Sequence, residues 1–149
     1  LEIGCGTGLL LSRIAPHCSH YLGTDFSIEA INYIHHLKKR VQGLEHVHLE
    51  QRLADNFSNL QADNVDTIIL NSVIQYFPSV DYLLEVLKGA VDLCQAGGHI
   101  FIGDVRNLAL LKAYHTSVQL HKAPDNLTRS ELDYLIQQNS CMYRVPGHP

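Results

Sequence analysis

The opening octapeptide, Leu1-Glu2-Ile3-Gly4-Cys5-Gly6-Thr7-Gly8, carries the densest chemistry in the chain. It ends a short apolar run and opens an amphipathic one, which reads as a strand-to-helix turn. Its glycines let the backbone turn sharply and approach a ligand closely. The spacing is G-x-G-x-G, not the G-x-G-x-x-G of dinucleotide sites. Seventeen residues after Gly8, Asp25 closes the next apolar run. A carboxylate there is placed to accept hydrogen bonds from both hydroxyls of a ribose. A glycine-rich turn alone is weak evidence; with Glu2 before it and Asp25 after the next strand, the pattern becomes specific.

Other reactive residue types form no comparable constellation. The four cysteines, Cys5, Cys18, Cys94 and Cys141, include no CxxC pair. They read as thiols of a reducing cytoplasm rather than a disulfide framework, with Cys5 filling the gap between glycines. Of ten histidines, His17 and His20 flank Cys18, and His46 and His48 flank Val47. Neither group has the third and fourth ligands that zinc needs, so no metal is expected. His35 and His36 beside Lys38, Lys39 and Arg40 suit a solvated helix C-terminus.

The elements that must position these groups alternate strand with helix. Leu1 to Ile3 is the tail of a buried strand, and Leu9 to Ala15 a short helix stopped by Pro16. Tyr21 to Asp25 is a second strand. Ser27 caps a helix to about Arg40, with Ile28, Ile31, Ile34, Leu37 and Val41 as its apolar stripe. Val47 to Leu53 alternates apolar residues with His48, Glu50 and Arg52, which suits an edge strand. Val65 to Leu70 is more apolar and therefore more central. Ser79 caps a helix whose expected buried face is Val80, Leu83, Leu84, Leu87 and Val91, ended by Gly97 and Gly98. His99 to Gly103 is a fifth strand. Asn107 is expected to cap a helix to about His121. Thr128 and Glu131 make a capping box for a last helix to about Gln138. This order predicts an α/β fold: a doubly wound, mostly parallel sheet in one domain over residues 1–149.

The bulk numbers agree. The chain has 149 residues, 46% of them apolar and 17% charged, with net charge −4. That is the balance of a soluble globular domain and offers no field to attract nucleic acid. No apolar run approaches the ~18 to 20 residues that span a membrane, and a cytoplasmic protein is expected.

On these residues the chain resembles the class I S-adenosylmethionine-dependent methyltransferases. The resemblance implies that Glu2 through Gly8 pack under the methionine and ribose parts of S-adenosylmethionine. Asp25-Phe26-Ser27 resembles the family's acidic second-strand end. Leu53-Ala54-Asp55-Asn56 resembles the site after the third strand, where an acidic side chain accepts from the adenine N6 amine and a backbone amide meets N1. Asn71-Ser72-Val73-Ile74-Gln75-Tyr76-Phe77 resembles the fourth-strand end that lines the cofactor and substrate pocket. That stretch, with Pro78 to Leu84, Gly103-Asp104-Val105-Arg106 and His115 to Leu120, is similar to one branch: methyltransferase domains embedded in nonribosomal peptide synthetases, usually N-methylating. The branch implies neighbouring synthetase domains and, as substrate, an aminoacyl or peptidyl thioester on a carrier protein.

Expected roles follow. Ring faces of Tyr76 or Phe77 could sit against a sulfonium. Gln75 and Asn71 could orient the amine or the thioester carbonyl. Asp104 and Arg106 lie where ligands bind in open α/β sheets, with a local Asp104–Arg106 ion pair as the alternative. His115 could accept a proton. S-adenosylhomocysteine would be the product. The family register also predicts a truncated core, with an incomplete first strand and strands six and seven absent. An exposed fifth-strand edge could then drive self-association. A free-standing or polyketide-associated O- or C-methyltransferase, a nicotinamide oxidoreductase and a non-catalytic cofactor-binding fragment stand as alternatives.

Overall fold

The computed structural model describes residues 1–60, 65–124 and 126–141. Two compact units divide the chain, Leu1–Val105 and Arg106–Pro149.

The first unit is a five-stranded parallel sheet in the order β3-β2-β1-β4-β5. Its strands are β1 (Glu2–Ile3), β2 (Tyr21–Asp25), β3 (Val47–Gln51), β4 (Val65–Asn71) and β5 (Cys94–Gly103). The expected edge position of β3 is what the sheet shows. The order reverses between β1 and β4, so their carboxyl ends flank the crevice in which ligands of doubly wound sheets bind. The crossover helices are α1 (Leu11–Ile14), α2 (Ile28–Lys38) and α3 (Val80–Leu93). Two apolar clusters hold them. One joins Leu11, Tyr21, Ile31, Ile34 and Val47. The other joins Ile3, Ile68, Leu70, Val86 and Ala90.

Local chemistry sets the boundaries. Ser27 caps α2 by accepting from the Ala30 amide at 3.2 Å, and Ser79 caps α3 by accepting from the Tyr82 amide at 3.1 Å. The helix expected over Leu9 to Ala15 is shorter. It gives way to a 3₁₀ turn, Ala15–His17, that takes Pro16 at its start. The stripe of α2 narrows to Ile31 and Ile34, and Val41 lies beyond the helix end at Lys38.

Helix α3 departs further from the sequence reading. Its buried residues are Val86 and Ala90, whereas Val80, Leu84 and Val91 are exposed. The small residues Gly89 and Ala90 let neighbouring groups come close, so the buried stripe is rotated toward them. Gly97 and Gly98 do not end this helix. The Cys94 amide donates to Ala90 oxygen, and the chain passes directly into β5, which carries both glycines. The pairing with β4 slips near Val65 and Thr67, where this extra length is absorbed. β3 stops at Gln51, short of Leu53, which is exposed.

Gly89 supplies a test of the packing. A Cβ there would lie 2.3 Å from the Phe57 ring. Helix propensity alone favours Gly89→Ala by about 1 kcal/mol, but overpacking costs about 1–3 kcal/mol. Gly89→Ala is expected to lower the melting temperature, and to raise it in a Phe57→Leu background. A rise with Phe57 intact would overturn this account.

The second unit, described by itself, packs α4 (Leu111–Lys122) against α5 (Arg129–Cys141). Asn107 accepts from the Ala109 amide at 2.9 Å and so caps a 3₁₀ turn, Leu108–Leu110; the α-helix begins only at Leu111. The capping box is present: the Thr128 amide donates to Glu131 at 2.9 Å, and the Glu131 amide to the Thr128 hydroxyl at 3.3 Å. α5 runs to Cys141, three residues past the expected end at Gln138. Among the described residues, no helix is long and apolar enough to cross a membrane.

Candidate functional site

The glycine loop is fastened to the end of β2. The Gly4 and Cys5 amides both donate to Thr24 oxygen, at 2.8 and 2.9 Å. The Gly6 amide donates to Asp25 Oδ2 at 2.8 Å, and the Ser27 amide donates to Asp25 Oδ1 at 2.9 Å. The Asp25 carboxylate therefore bridges the loop and the start of α2. Each of its oxygens keeps a lone-pair direction for a further donor. Gly4, Gly6 and Gly8 all have positive φ, at +75°, +53° and +80°. A Cβ at Gly6 would meet nothing within 4 Å, whereas one at Gly4 would lie 2.6 Å from Val73 Cγ2. The loop thus presents bare backbone over open space at Gly6 and is packed tight at Gly4.

Ile3 and Cys5 are buried, so these two residues can meet a ligand only through their backbone. Burial pushes the Cys5 thiol up to about 12, an unreactive state. Glu2 is also buried, and the Tyr21 hydroxyl donates to its Oε2 at 2.7 Å.

Burial raises the Glu2 carboxyl above the ordinary carboxylate range, against the opposing hydrogen bond from Tyr21. A carboxyl whose pKa is raised by folding favours the folded state when protonated. That contribution is complete below the unfolded value, near ~4.3, and is lost as pH rises through the folded value. Glu2→Gln stays neutral and can still accept from Tyr21. It is expected to melt above the parent at pH 8, with a margin that shrinks toward about pH 4. Melting curves displaced equally at every pH would refute this.

The loop after β3 is organised by Arg52. Its amide donates to Asp25 oxygen at 2.8 Å. Its guanidinium reaches Asn56 oxygen at 3.1 Å and Ser58 oxygen at 2.6 Å while pairing with Glu50. This clamp shapes the turn carrying Ala54, Asp55 and Asn56. Asp55 is exposed, and Tyr82 of α3 donates to its Oδ1 at 3.0 Å. Phe26, beside Asp25, is 72% exposed and available to cover a planar ligand.

At the ends of β4 and β5, Asn71 donates to Ser72 Oγ at 3.4 Å, and Ser72 Oγ donates to Asp104 Oδ2 at 2.5 Å. Ser72 and Asp104 both hold positive φ, at +57° and +55°. Such conformations cost about 1–3 kcal/mol each and concentrate at functional sites. In the following 3₁₀ turn, Gln75 Oε1 is buried with no hydrogen-bond partner. Tyr76 is 73% exposed, while Phe77 packs edge-on against Tyr82 at 5.0 Å. Of the two aromatic candidates, Tyr76 is the one with a free ring.

The structure thus gathers residues 2–8, Asp25 to Ser27, residues 54–56, Asn71 to Tyr76 and Asp104 within the first unit. Arg106 and His115 belong to the second. There Arg106 lies 4.8 Å over the Tyr114 ring. His115 is buried, and desolvation, then Arg106, lowers its pKa. Sequence reasoning missed Tyr21 and Arg52 and gave Tyr82 no role. Arg52 carried one signal, its alternation with Glu50; the other two act across 19 and 27 residues of chain.

A parallel sheet with its order reversed beside a G-x-G-x-G loop, and an acidic residue ending the next strand, define a class I S-adenosylmethionine-dependent methyltransferase. Comparison agrees: a family model described as a methyltransferase domain matches residues 1–100, and the chain belongs to that family. It is 56% identical over 138 residues to chondramide synthase cmdD of Chondromyces crocatus, covering 93% of this chain and 4% of that protein. It is 45% identical over 124 residues to CymA of Salinispora arenicola, a probable non-canonical nonribosomal peptide synthetase, covering 83% of this chain and 2% of that protein. The chain therefore spans only a few per cent of these relatives. Among solved structures, the N-methyltransferase NodS from Bradyrhizobium japonicum with S-adenosyl-L-homocysteine aligns with TM-score 0.60 at 24% identity. That alignment covers 68% of this chain and 49% of NodS.

Proposed function

We propose that this domain N-methylates an aminoacyl or peptidyl group held as a thioester on a carrier protein during nonribosomal peptide synthesis. The observation that carries the reading is the bridged Asp25 under a glycine loop whose Gly6 faces open space, in a chain 56% identical to a segment of chondramide synthase cmdD and 45% identical to a segment of a probable non-canonical nonribosomal peptide synthetase. NodS, which shares this fold, is itself an N-methyltransferase.

The residues present fit the cofactor. Gly6 leaves room for close approach, Asp25 offers acceptors, and Asp55 stands exposed in the loop after β3. S-adenosylmethionine, when bound, supplies an activated methyl group on a sulfonium sulfur. Asp25 would hold the ribose hydroxyls, and Asp55 the adenine amine. Asn71 and the unpartnered Gln75 Oε1 would orient the acceptor nitrogen and its carbonyl. Tyr76 would cover the charged region, a contact worth about 0.5–2 kcal/mol. Asp104 shapes the β5 end through Ser72. An α-amino group titrates near ~7.7–8.0, so a neutral fraction exists without a strong base. Alignment alone can supply up to about 7–11 kcal/mol. The domain's task is therefore chiefly orientation.

The test is methyl transfer to carrier-bound aminoacyl thioesters, read by product mass and fragmentation. One added methyl on the amine is expected. Transfer only to a hydroxyl or carbon acceptor would overturn the assignment.

A further inference from the structure

We propose that Tyr82 is a positioning residue that fixes the Asp55 carboxylate for recognition of a six-amino purine, an inference that rests on the assignment of Asp55 to the adenine ring. Tyr82 sits in the first turn of α3, where Ser79 caps its amide. Its ring is held edge-on by Phe77. Its hydroxyl donates to Asp55 Oδ1, 27 residues away. With one lone pair of Oδ1 engaged, Oδ2 keeps both of its own for a ligand, and the plane of the carboxylate is set. Meanwhile Arg52 fixes the backbone of the same turn through Asn56 and Ser58. A purine carrying an amine at its sixth position donates to that oxygen. One carrying a carbonyl there presents an acceptor to an acceptor and is repelled. Burial and the Asp55 carboxylate both raise the Tyr82 pKa, so its proton stays in place to be donated across the neutral range.

The chain Phe77–Tyr82–Asp55 also joins the β4 end to the adenine end through one rigid side chain. Discrimination between bases would therefore depend on a residue that touches neither the base nor the reacting atoms.

The test is calorimetric binding of S-adenosylhomocysteine and S-inosylhomocysteine to the parent, Tyr82→Phe, Asp55→Asn and the double variant. Tyr82→Phe keeps the ring against Phe77 and removes only the hydroxyl. It is expected to weaken the adenosyl ligand about tenfold, the size of one charge-assisted hydrogen bond, while leaving the inosyl ligand unchanged. The preference between the two ligands should fall accordingly. In the Asp55→Asn background, Tyr82→Phe should have no further effect. Equal weakening of both ligands by Tyr82→Phe, or an undiminished effect in that background, would mean a merely structural role and overturn the inference. If Asp55→Asn weakens adenosyl binding but Tyr82→Phe does not, the inference fails while the adenine assignment stands. If Asp55→Asn itself leaves adenosyl affinity unchanged, the assignment fails and takes the inference with it.

Discussion

Replacing Asp25 with alanine is expected to reduce affinity for S-adenosylhomocysteine at least a hundredfold and to destabilise the domain. Two backbone amides, of Gly6 and Ser27, lose their acceptors at once. Hydrogen bonds to a charged group contribute about 1.5–3 kcal/mol each, so several kcal/mol of a total near 5–15 are at stake. The proposed ribose contacts are lost as well, and each 1.4 kcal/mol is about tenfold in affinity. Asp25→Asn retains one acceptor oxygen and should fall between parent and alanine, because its amide group must turn a donor toward one of the two amides. Calorimetry and thermal melting separate the two effects, and amide exchange at Gly6 should accelerate in both variants. An alanine variant that binds and melts like the parent would sink the assignment.

Gly4→Ala is expected to be the most damaging of the loop substitutions. The residue holds φ +75°, and the new Cβ would lie 2.6 Å from Val73 Cγ2. Left-handed backbone costs a non-glycine residue about 1–3 kcal/mol, and overpacking adds about 1–3 kcal/mol. Gly6→Ala has a similarly positive φ but meets nothing within 4 Å, so it incurs only the first cost. Gly4→Ala should therefore melt well below Gly6→Ala. Adding Val73→Ala should recover part of the difference, although Val73→Ala alone loses packing. If Val73→Ala deepens the loss in the Gly4→Ala background, steric crowding is not the cause. The functional ranking reverses: Gly6→Ala should impair binding more than its modest loss of stability suggests, since its methyl group would project into the ligand's space.

The legible parts of this protein are those encoded by neighbours in sequence. Tyr21 to Asp25 is the strand its apolar run predicts, and Ser27, Ser79 and Thr128 cap their helices as the capping rules require. The polarity of His48 and Glu50 placed β3 at the sheet edge. The α3 stripe was misread because helical periodicity identifies apolar positions but not which of two adjacent stripes faces the sheet. Gly89 and Ala90 decided that, and small residues carry little weight in a hydrophobic pattern. The paired glycines 97 and 98 look like a helix stop because a bulged strand start also uses positive φ, which Gly97 adopts here. In the site, the glycine loop and Asp25 could be found from spacing. Tyr82 on Asp55 and Tyr21 on Glu2 could not, because each bond depends on which strands and helices become neighbours.

The bridging of Gly6 and Ser27 by Asp25 has a thermodynamic consequence. The carboxylate that would bind the ribose also closes part of the native fold, so occupancy and folding are linked functions. A ligand that binds only the folded state stabilises it by about 2.7 kcal/mol at a hundredfold excess over its Kd. A domain of this kind would report cofactor supply as resistance to unfolding and proteolysis. Starvation for methyl donor would then first be felt as a shortened lifetime of the domain, before any change in its chemistry.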